Sequence, residues 1–365
     1  MDKDKNVVFF VTSLQSGGIE NYLLRFIDEF GGRFNKIHVF CKSGKGGQLE
    51  EEYTSFKNVE IIKKKVGYLS VADYLFVNTY FKRQSFQAVC DFTGNFSGPI
   101  MYLAKKNNIP KRVVFYRNSS DRFNRSFTKD LINSLFNKLT YNYSTKILSN
   151  SKAAFNHYYK EVWKNNGKFQ VIYNGTNASK FLNETSDLHN EFKLPKDSFI
   201  VGHTGRFNPA KNHATLIKVA RELIAEKDDI YFALCGNGVQ ENLKKEVEDL
   251  GLSKRVLLFE NRRDIPKFLR TLDCFYFPSI TEGQPNSLIE AMVSGRSIVA
   301  SDIEPIKESV PDDFVKELVP PLNVAKAKEN ILSIYNGNSN SQKLQSWAIE
   351  RFNSTKLFQE FFDQL

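Results

Sequence analysis

The chain has 365 residues, a length that suits two domains, and its composition of 41% hydrophobic and 25% charged residues is that of a soluble globular protein. No apolar run approaches the roughly 18 residues of a membrane-spanning helix, and the charged opening Met1-Asp2-Lys3-Asp4-Lys5 precedes only five apolar residues, which disfavours a signal peptide or an integral anchor. The net charge of +10 is uneven: residues 1–175 hold 27 Lys/Arg against 14 Asp/Glu, and residues 176–365 hold 24 against 27. Such a field attracts phosphate, and without a recognised nucleic-acid motif the expected partners are phosphorylated substrates or an anionic membrane surface, not nucleic acid.

In chain order, short β-branched or aromatic runs at residues 7–11, 36–41, 59–62, 86–91, 112–116, 146–149 and 169–172 read as strands separated by helix-period segments. Turn chemistry at Tyr173-Asn174-Gly175-Thr176-Asn177 breaks the series. A second series follows at 199–203, 230–235, 255–258, 273–277, 297–300 and 314–318. The alternation predicts an α/β protein of two Rossmann-like, doubly wound parallel-sheet domains, 1–178 and 179–345. A helix over 346–365, carrying Trp347, Phe352, Leu357, Phe358, Phe361 and Phe362, is expected to pack back on the first domain. Ligands of open parallel sheets bind beyond the carboxyl ends of the strands, so function is sought in a cleft where two such sheets face each other. The four cysteines Cys41, Cys90, Cys235 and Cys274 show no paired spacing and sit in apolar runs; they suit a reducing compartment, the cytoplasm, and no zinc site.

Four turns carry the candidate chemistry. Gly17-Gly18 lies where the first strand turns into a helix, a place for close backbone approach and for an anion at a helix start, though such a pair is more often only a turn. Arg206 and Lys211 follow the first strand of the second domain, where a forked guanidinium and an ammonium suit a diphosphate. Asn237-Gly238 closes the next strand; the spacing of neither glycine turn is that of a dinucleotide fingerprint. The most informative stretch is Glu282-Gly283-Gln284-Pro285-Asn286-Ser287-Leu288-Ile289-Glu290, one carboxylate in a loop and a second in the following helix. Ser287-x-x-Glu290 also reads as a capping box, in which Glu290 serves only the helix's own amide. In the functional reading Glu290 accepts the hydroxyls of a ribose, Glu282 faces a sugar, and the amides of Ser287 and Leu288 add to a diphosphate site. His203 ends a strand beside Arg206, where packing in the core is the favoured reading.

Taken together, Gly17-Gly18-x-Glu20, Asn174-Gly175, Gly205-Arg206-x4-Lys211 and Glu282-x7-Glu290 resemble the retaining glycosyltransferases of family 4 (glycosyl transferases group 1). The resemblance implies the GT-B architecture and transfer of a sugar from a nucleotide diphosphate to an acceptor. It also implies no cofactor and no metal, since Arg, Lys and helix termini hold the diphosphate. By it Arg206 and Lys211 grip the diphosphate, Glu290 the ribose, and Glu282 with Gly283, Gln284 and Pro285 the donor sugar, while the loop of residues 260–264 with Arg262 flanks the base. Many relatives carry a histidine at the end of a first-domain strand; the strands here end in Asp91 and in Arg117-Asn118, the candidates for part of that role, unless substrate groups act alone. The expected acceptor is a sugar or a lipid-diphosphate-linked glycan in bacterial surface polysaccharide assembly. Arg122, Arg125, Lys129 and Lys138 interleave with Phe123, Phe127, Leu131, Leu135 and Leu139; most of this apolar stripe is expected to face the core, with the basic residues as a candidate membrane rim. The rival readings are a nucleotide-sugar epimerase of the same fold and a non-catalytic nucleotide-sugar binder.

Overall fold

The computed structural model describes residues 5–117 and 127–365. The chain divides into two compact units: residues 1–174 with 355–365, and residues 175–354. The divisions fall at 174/175 and 354/355, not at 178/179 and 345/346.

Unit 1 is built on seven strands, β1 (Asn6–Val11), β2 (Lys36–Cys41), β3 (Val59–Lys63), β4 (Ala88–Asp91), β5 (Lys111–Tyr116), β6 (Lys146–Ser149) and β7 (Phe169–Val171), in the order β3-β2-β1-β4-β5-β6-β7. Every pairing is parallel. Such sheets are covered on both faces, which explains why β1 is a continuous run of Val and Phe with five residues at 0% exposure and no polar alternation. Unit 2 repeats the plan with β8 (Phe199–Thr204), β9 (Ile230–Cys235), β10 (Val256–Phe259), β11 (Cys274–Phe277) and β12 (Ser297–Ala300), in the order β10-β9-β8-β11-β12. In each unit the order reverses beside the first strand, so the loops after β1 and β4, and after β8 and β11, border the crevice at a switch point.

The helix Gly18–Phe30 buries Tyr22, Leu23, Phe26, Ile27 and Phe30, one face at helical spacing. Against it lies the helix Ser354–Phe362 from the other end of the chain. Phe361 sits 4.7 Å from Phe26 and 5.4 Å from Phe115, and Phe358 sits 5.2 Å from Tyr22, centroid to centroid.

Two expectations need correction. Residues 314–318 are not a strand: Asp312–Glu317 is a 3-10 helix, because Phe314, Val315 and Leu318 recur at helical rather than alternating spacing and Pro311 enters at φ −60°. Only Val319 bridges the sheet, through Ser301. The expected terminal helix is two, Ser341–Arg351 in unit 2 and Ser354–Phe362, which from Thr355 on belongs to unit 1, broken at Phe352 and Asn353. In the helix Phe127–Tyr143, Phe136 is buried and Leu135, one member of the expected stripe, is 54% exposed; Arg122, Phe123 and Arg125 lie outside the described residues. Among the described residues no helix is long and apolar enough to cross a membrane. All four cysteines are buried and free.

Because Phe361 is fully buried in an aromatic cluster that spans both ends of the chain, Phe361→Ala should destabilise unit 1 by about 3–5 kcal/mol. Denaturant unfolding followed by a probe in unit 1 checks this; an unchanged midpoint would show that the terminal helix contributes nothing to that unit.

Candidate functional site

At the carboxyl end of the unit 2 sheet, the loops after β8 and β9 are joined backbone to backbone. Gly205 N donates to Cys235 O at 2.8 Å, and Phe207 N to Asn237 O at 2.8 Å. A Cβ on Gly236 would lie 2.2 Å from Gly205 O, and its φ of 158° is one that L side chains rarely adopt, so this approach requires glycine. The chain then enters a 3-10 turn, Pro209–Lys211, whose Lys211 amide is capped by the Asn208 side chain. Asn212 follows in the left-handed conformation and buries its amide between Pro278 O (3.1 Å) and Pro321 O (2.9 Å). Ile280 N donates to Ala210 O at 2.8 Å, tying this turn to the loop after β11.

These ties bring together two candidates far apart in sequence. Lys211 Nζ donates to Glu282 Oε1 at 2.6 Å, the side chains only 15% and 11% exposed, and the ammonium stands 4.7 Å above the Phe277 ring. Arg206 is exposed on the same loop and pairs with no carboxylate among the described residues. The helix Asn286–Val293 begins with Pro285 in the capping position, so Ser287 is already helical and the capping box with Glu290 does not arise. Its first turn, Asn286, Ser287 and Leu288, presents amides that lack intrahelical acceptors, and Glu290 lies one turn on, half-buried. Gly283 is half-buried, and Gln284 and Pro285 are buried beneath this turn.

The β9 corner is arranged differently from expectation. The Glu260 carboxylate accepts from Gly238 N at 2.7 Å, Gln240 N at 3.1 Å and Glu241 N at 3.3 Å, so the start of the helix Val239–Asp249 is already occupied by an anion of the chain itself. Gly238 therefore has no amide to offer a phosphate, and Asn237 contributes its carbonyl to Phe207. Arg262 is likewise committed: it forks onto Asp264 at 2.8 and 2.7 Å and reaches Glu191 at 2.8 Å, and these bonds raise its pKa above the ordinary range. His203 is a core residue, its Nδ1 3.0 Å from Tyr276 O, with His213 packed edge-on 5.2 Å away.

In unit 1, Gly17 caps the helix Gly18–Phe30 in extended conformation, so it meets no conformational demand for glycine; a Cβ there would lie 2.6 Å from Glu20 Oε2, while Gly18 faces open space. Gly47 presses on the Leu14–Gln15 peptide, where a Cβ would come within 2.2 Å, a contact that no sequence motif announces. Asp91 is fully buried: Oδ2 receives Lys42 Nζ at 3.2 Å, and Oδ1 receives Thr93 N at 2.8 Å and Thr93 Oγ1 at 2.7 Å. Both oxygens are engaged in a sealed ion pair, so Asp91 does not present a base to an acceptor. The partner Lys42 was missed by sequence reasoning; its one signal is a cation directly after five successive buried strand residues. Arg117 is buried with its guanidinium 3.9 Å above the Tyr22 ring, and burial lowers its pKa to about 10, which leaves it cationic at neutral pH. Asn118 lies outside the described residues. No group of His, Cys, Asp and Glu among the described residues is arranged to hold a metal ion.

Residues 16–180 match the family described as Glycosyltransferase Family 4, and residues 184–351 the one described as Glycosyl transferases group 1. The chain is a member of this glycosyltransferase family. The transferase is 27% identical over 331 residues to the capsular polysaccharide biosynthesis glycosyltransferase CapH of Staphylococcus aureus, which spans 86% of this chain and 87% of that one. It is 32% identical over 151 residues, 40% of its own length and 39% of the other's, to the UDP-Gal:alpha-D-GlcNAc-diphosphoundecaprenol alpha-1,3-galactosyltransferase of Escherichia coli. Its fold matches Anabaena Alr3699/HepE, solved in complex with UDP, at a TM-score of 0.79 and 20% identity over 98% of both chains. It also matches a Rickettsia africae glycosyltransferase at 0.81 and 17% over 99% and 97%. The transferase thus has the two-domain GT-B fold.

Burial, and secondarily Lys211, lowers the His213 pKa from 6.5 to about 4, and His203 is lowered further in the same direction by burial, by His213 and by Lys211. Between those values the unfolded chain binds more protons than the folded one, so unit 2 should lose stability as pH falls from about 6.5 to about 4. Denaturation midpoints across that range check this, and His213→Phe should make the dependence shallower; an unchanged slope would show that His213 is accessible to protons in the fold.

Proposed function

We propose that the transferase binds a uridine-diphosphate sugar on unit 2 and passes the sugar to a lipid-diphosphate-linked glycan, with retention at the anomeric carbon and without a metal, in assembly of a bacterial surface polysaccharide. The observation that carries the reading is the Lys211–Glu282 pair beside the exposed Arg206 and the start of the helix Asn286–Val293. Lys211 and Arg206 take the diphosphate together with the amides of Ser287 and Leu288, Glu290 takes the ribose hydroxyls, and Glu282 and the backbone at Gly283 take hydroxyls of the sugar. Fixed positive charge aimed at the leaving diphosphate stabilises the negative charge that develops as the anomeric C–O bond breaks. As the acceptor oxygen bonds to the anomeric carbon, its proton passes to the departing phosphate oxygen on the same face, which gives retention without a protein base. The sealed state of Asp91 supports this route.

The uridine base and the lipid-linked acceptor draw support from relatives: HepE was solved with UDP and with UDP-glucose, and the Escherichia coli relative and a Campylobacter jejuni relative carry diphosphoundecaprenol acceptors in their names. The free, buried cysteines support a reducing compartment, with the reaction on the cytoplasmic side.

Lys211→Ala and Arg206→Ala should each lower turnover by at least about a hundredfold, as measured by release of the nucleotide diphosphate, with the exposed Arg206 variant melting normally and the Lys211 variant melting lower because Glu282 loses its opposite charge; near-normal turnover would remove both from the reading. UDP at a hundred times its dissociation constant should stabilise the protein by about 2.7 kcal/mol, and Glu290→Ala should reduce that shift. A melting shift with GDP or ADP and none with UDP would overturn the donor base, and conversion of the nucleotide sugar without an acceptor would favour an epimerase.

A further inference from the structure

The helix Val71–Arg83 buries Val77 and Phe81 and turns positions 71, 72, 75, 76, 79, 82 and 83 outward. A water-facing helix surface ordinarily mixes charges of both signs. Here Val71 is 72% exposed, Leu75 61% and Phe76 41%, the outward face ends in Lys82 and Arg83, and it holds no carboxylate. The helix's one acid, Asp73, is drawn back onto the Gly67 amide at 2.9 Å, with Lys64 Nζ at 3.9 Å. The preceding loop adds Leu69, 70% exposed, and Tyr68, 48% exposed. Cations flank this end too: Lys64 Nζ stands 5.4 Å above the Phe76 ring, and Lys45 and Lys65 are exposed on two segments joined by the Ser43–Lys65 bridge.

We infer that this face docks the protein on an anionic lipid bilayer. Adjoining exposed apolar side chains mark an interaction surface. With cations at both ends of the helix face and no carboxylate exposed on it, its charge complements anionic headgroups, into which Leu69, Val71 and Leu75 insert while the lysines stay at headgroup level. Residues 1–175 as a whole hold 27 basic against 14 acidic residues, so the field around the face has the same sign. The patch also adjoins the carboxyl end of the unit 1 sheet. The Tyr68 ring lies 4.0 Å from the Phe96 ring, and Phe96 O accepts from Lys42 Nζ at 3.4 Å, the lysine paired with Asp91 at the end of β4. A bilayer held here would deliver a lipid-borne acceptor to that edge; this delivery rests on the proposed function, whereas the docking does not.

Co-sedimentation of the full chain with vesicles rich in phosphatidylglycerol, and with vesicles of phosphatidylcholine alone, tests the inference. The protein should partition onto the anionic vesicles and much less onto the neutral ones. Leu69→Glu/Leu75→Glu should weaken partitioning by at least about tenfold, and Lys64→Gln/Lys65→Gln by roughly fivefold per lysine, with melting temperatures unchanged. Failure of the parent protein to bind anionic vesicles, or binding of both double variants at the parent level, would overturn the inference. So would a double variant that dissociates a dimer without altering vesicle binding, which would make the face an interface between copies. The assay contains no donor, so failure of the transferase reading leaves its result standing.

Discussion

The ion pair of Lys211 and Glu282 makes demands on nearly every loop at the carboxyl end of the unit 2 sheet. Two charges 2.6 Å apart and almost enclosed are costly to strip of water, and removing either would leave the other largely buried without the opposite charge beside it. The left-handed turn at Asn212, its two bonds to proline carbonyls, the Phe277 ring beneath the ammonium and the Ile280–Ala210 bond hold the ends of the pair in place. A lysine fixed in this way would lose little further conformational entropy on binding an anion, because its position is set during folding. The proposed chemistry draws on this preorganisation.

Unit 1 contains a pair of similar composition with an opposite consequence. Lys42 and Asp91 stand 3.2 Å apart at the switch point of their own sheet, but Asp91 is wholly buried and both its oxygens are filled. Depth, not residue type, separates a structural pair from one available to a ligand. The same logic governs the two helix starts of unit 2: Glu260 fills the start of Val239–Asp249, whereas Asn286–Val293 begins at Pro285 with no side-chain cap.

Much of the fold was legible because a parallel sheet buried on both faces writes continuous apolar runs into the sequence, as in Val7 to Val11 and Phe232 to Cys235. Where only one face of an element was buried, reading failed: residues 314–318 have the composition of a strand but helical spacing between two prolines, and the terminal aromatic stripe is interrupted at Phe352–Asn353 without a glycine or proline to announce it. Candidate residues on short loops directly after strands, such as Arg206, Lys211 and Glu282, were legible because topology places every such loop at the same sheet edge.

The sequence by itself determined the two parallel α/β units, the family and the set of charged residues at the strand ends, since these follow from local periodicity and motif spacing. Only the tertiary structure decided what each charge is used for. Lys211 meets Glu282 across 71 positions, Arg262 is committed to Asp264 and Glu191, Asp91 is sealed by Lys42, and the exposed apolar face lies on Val71–Arg83. The reason is that pairing and burial depend on which loops the sheet order brings side by side, and the spacing of residues along the chain does not encode that distance.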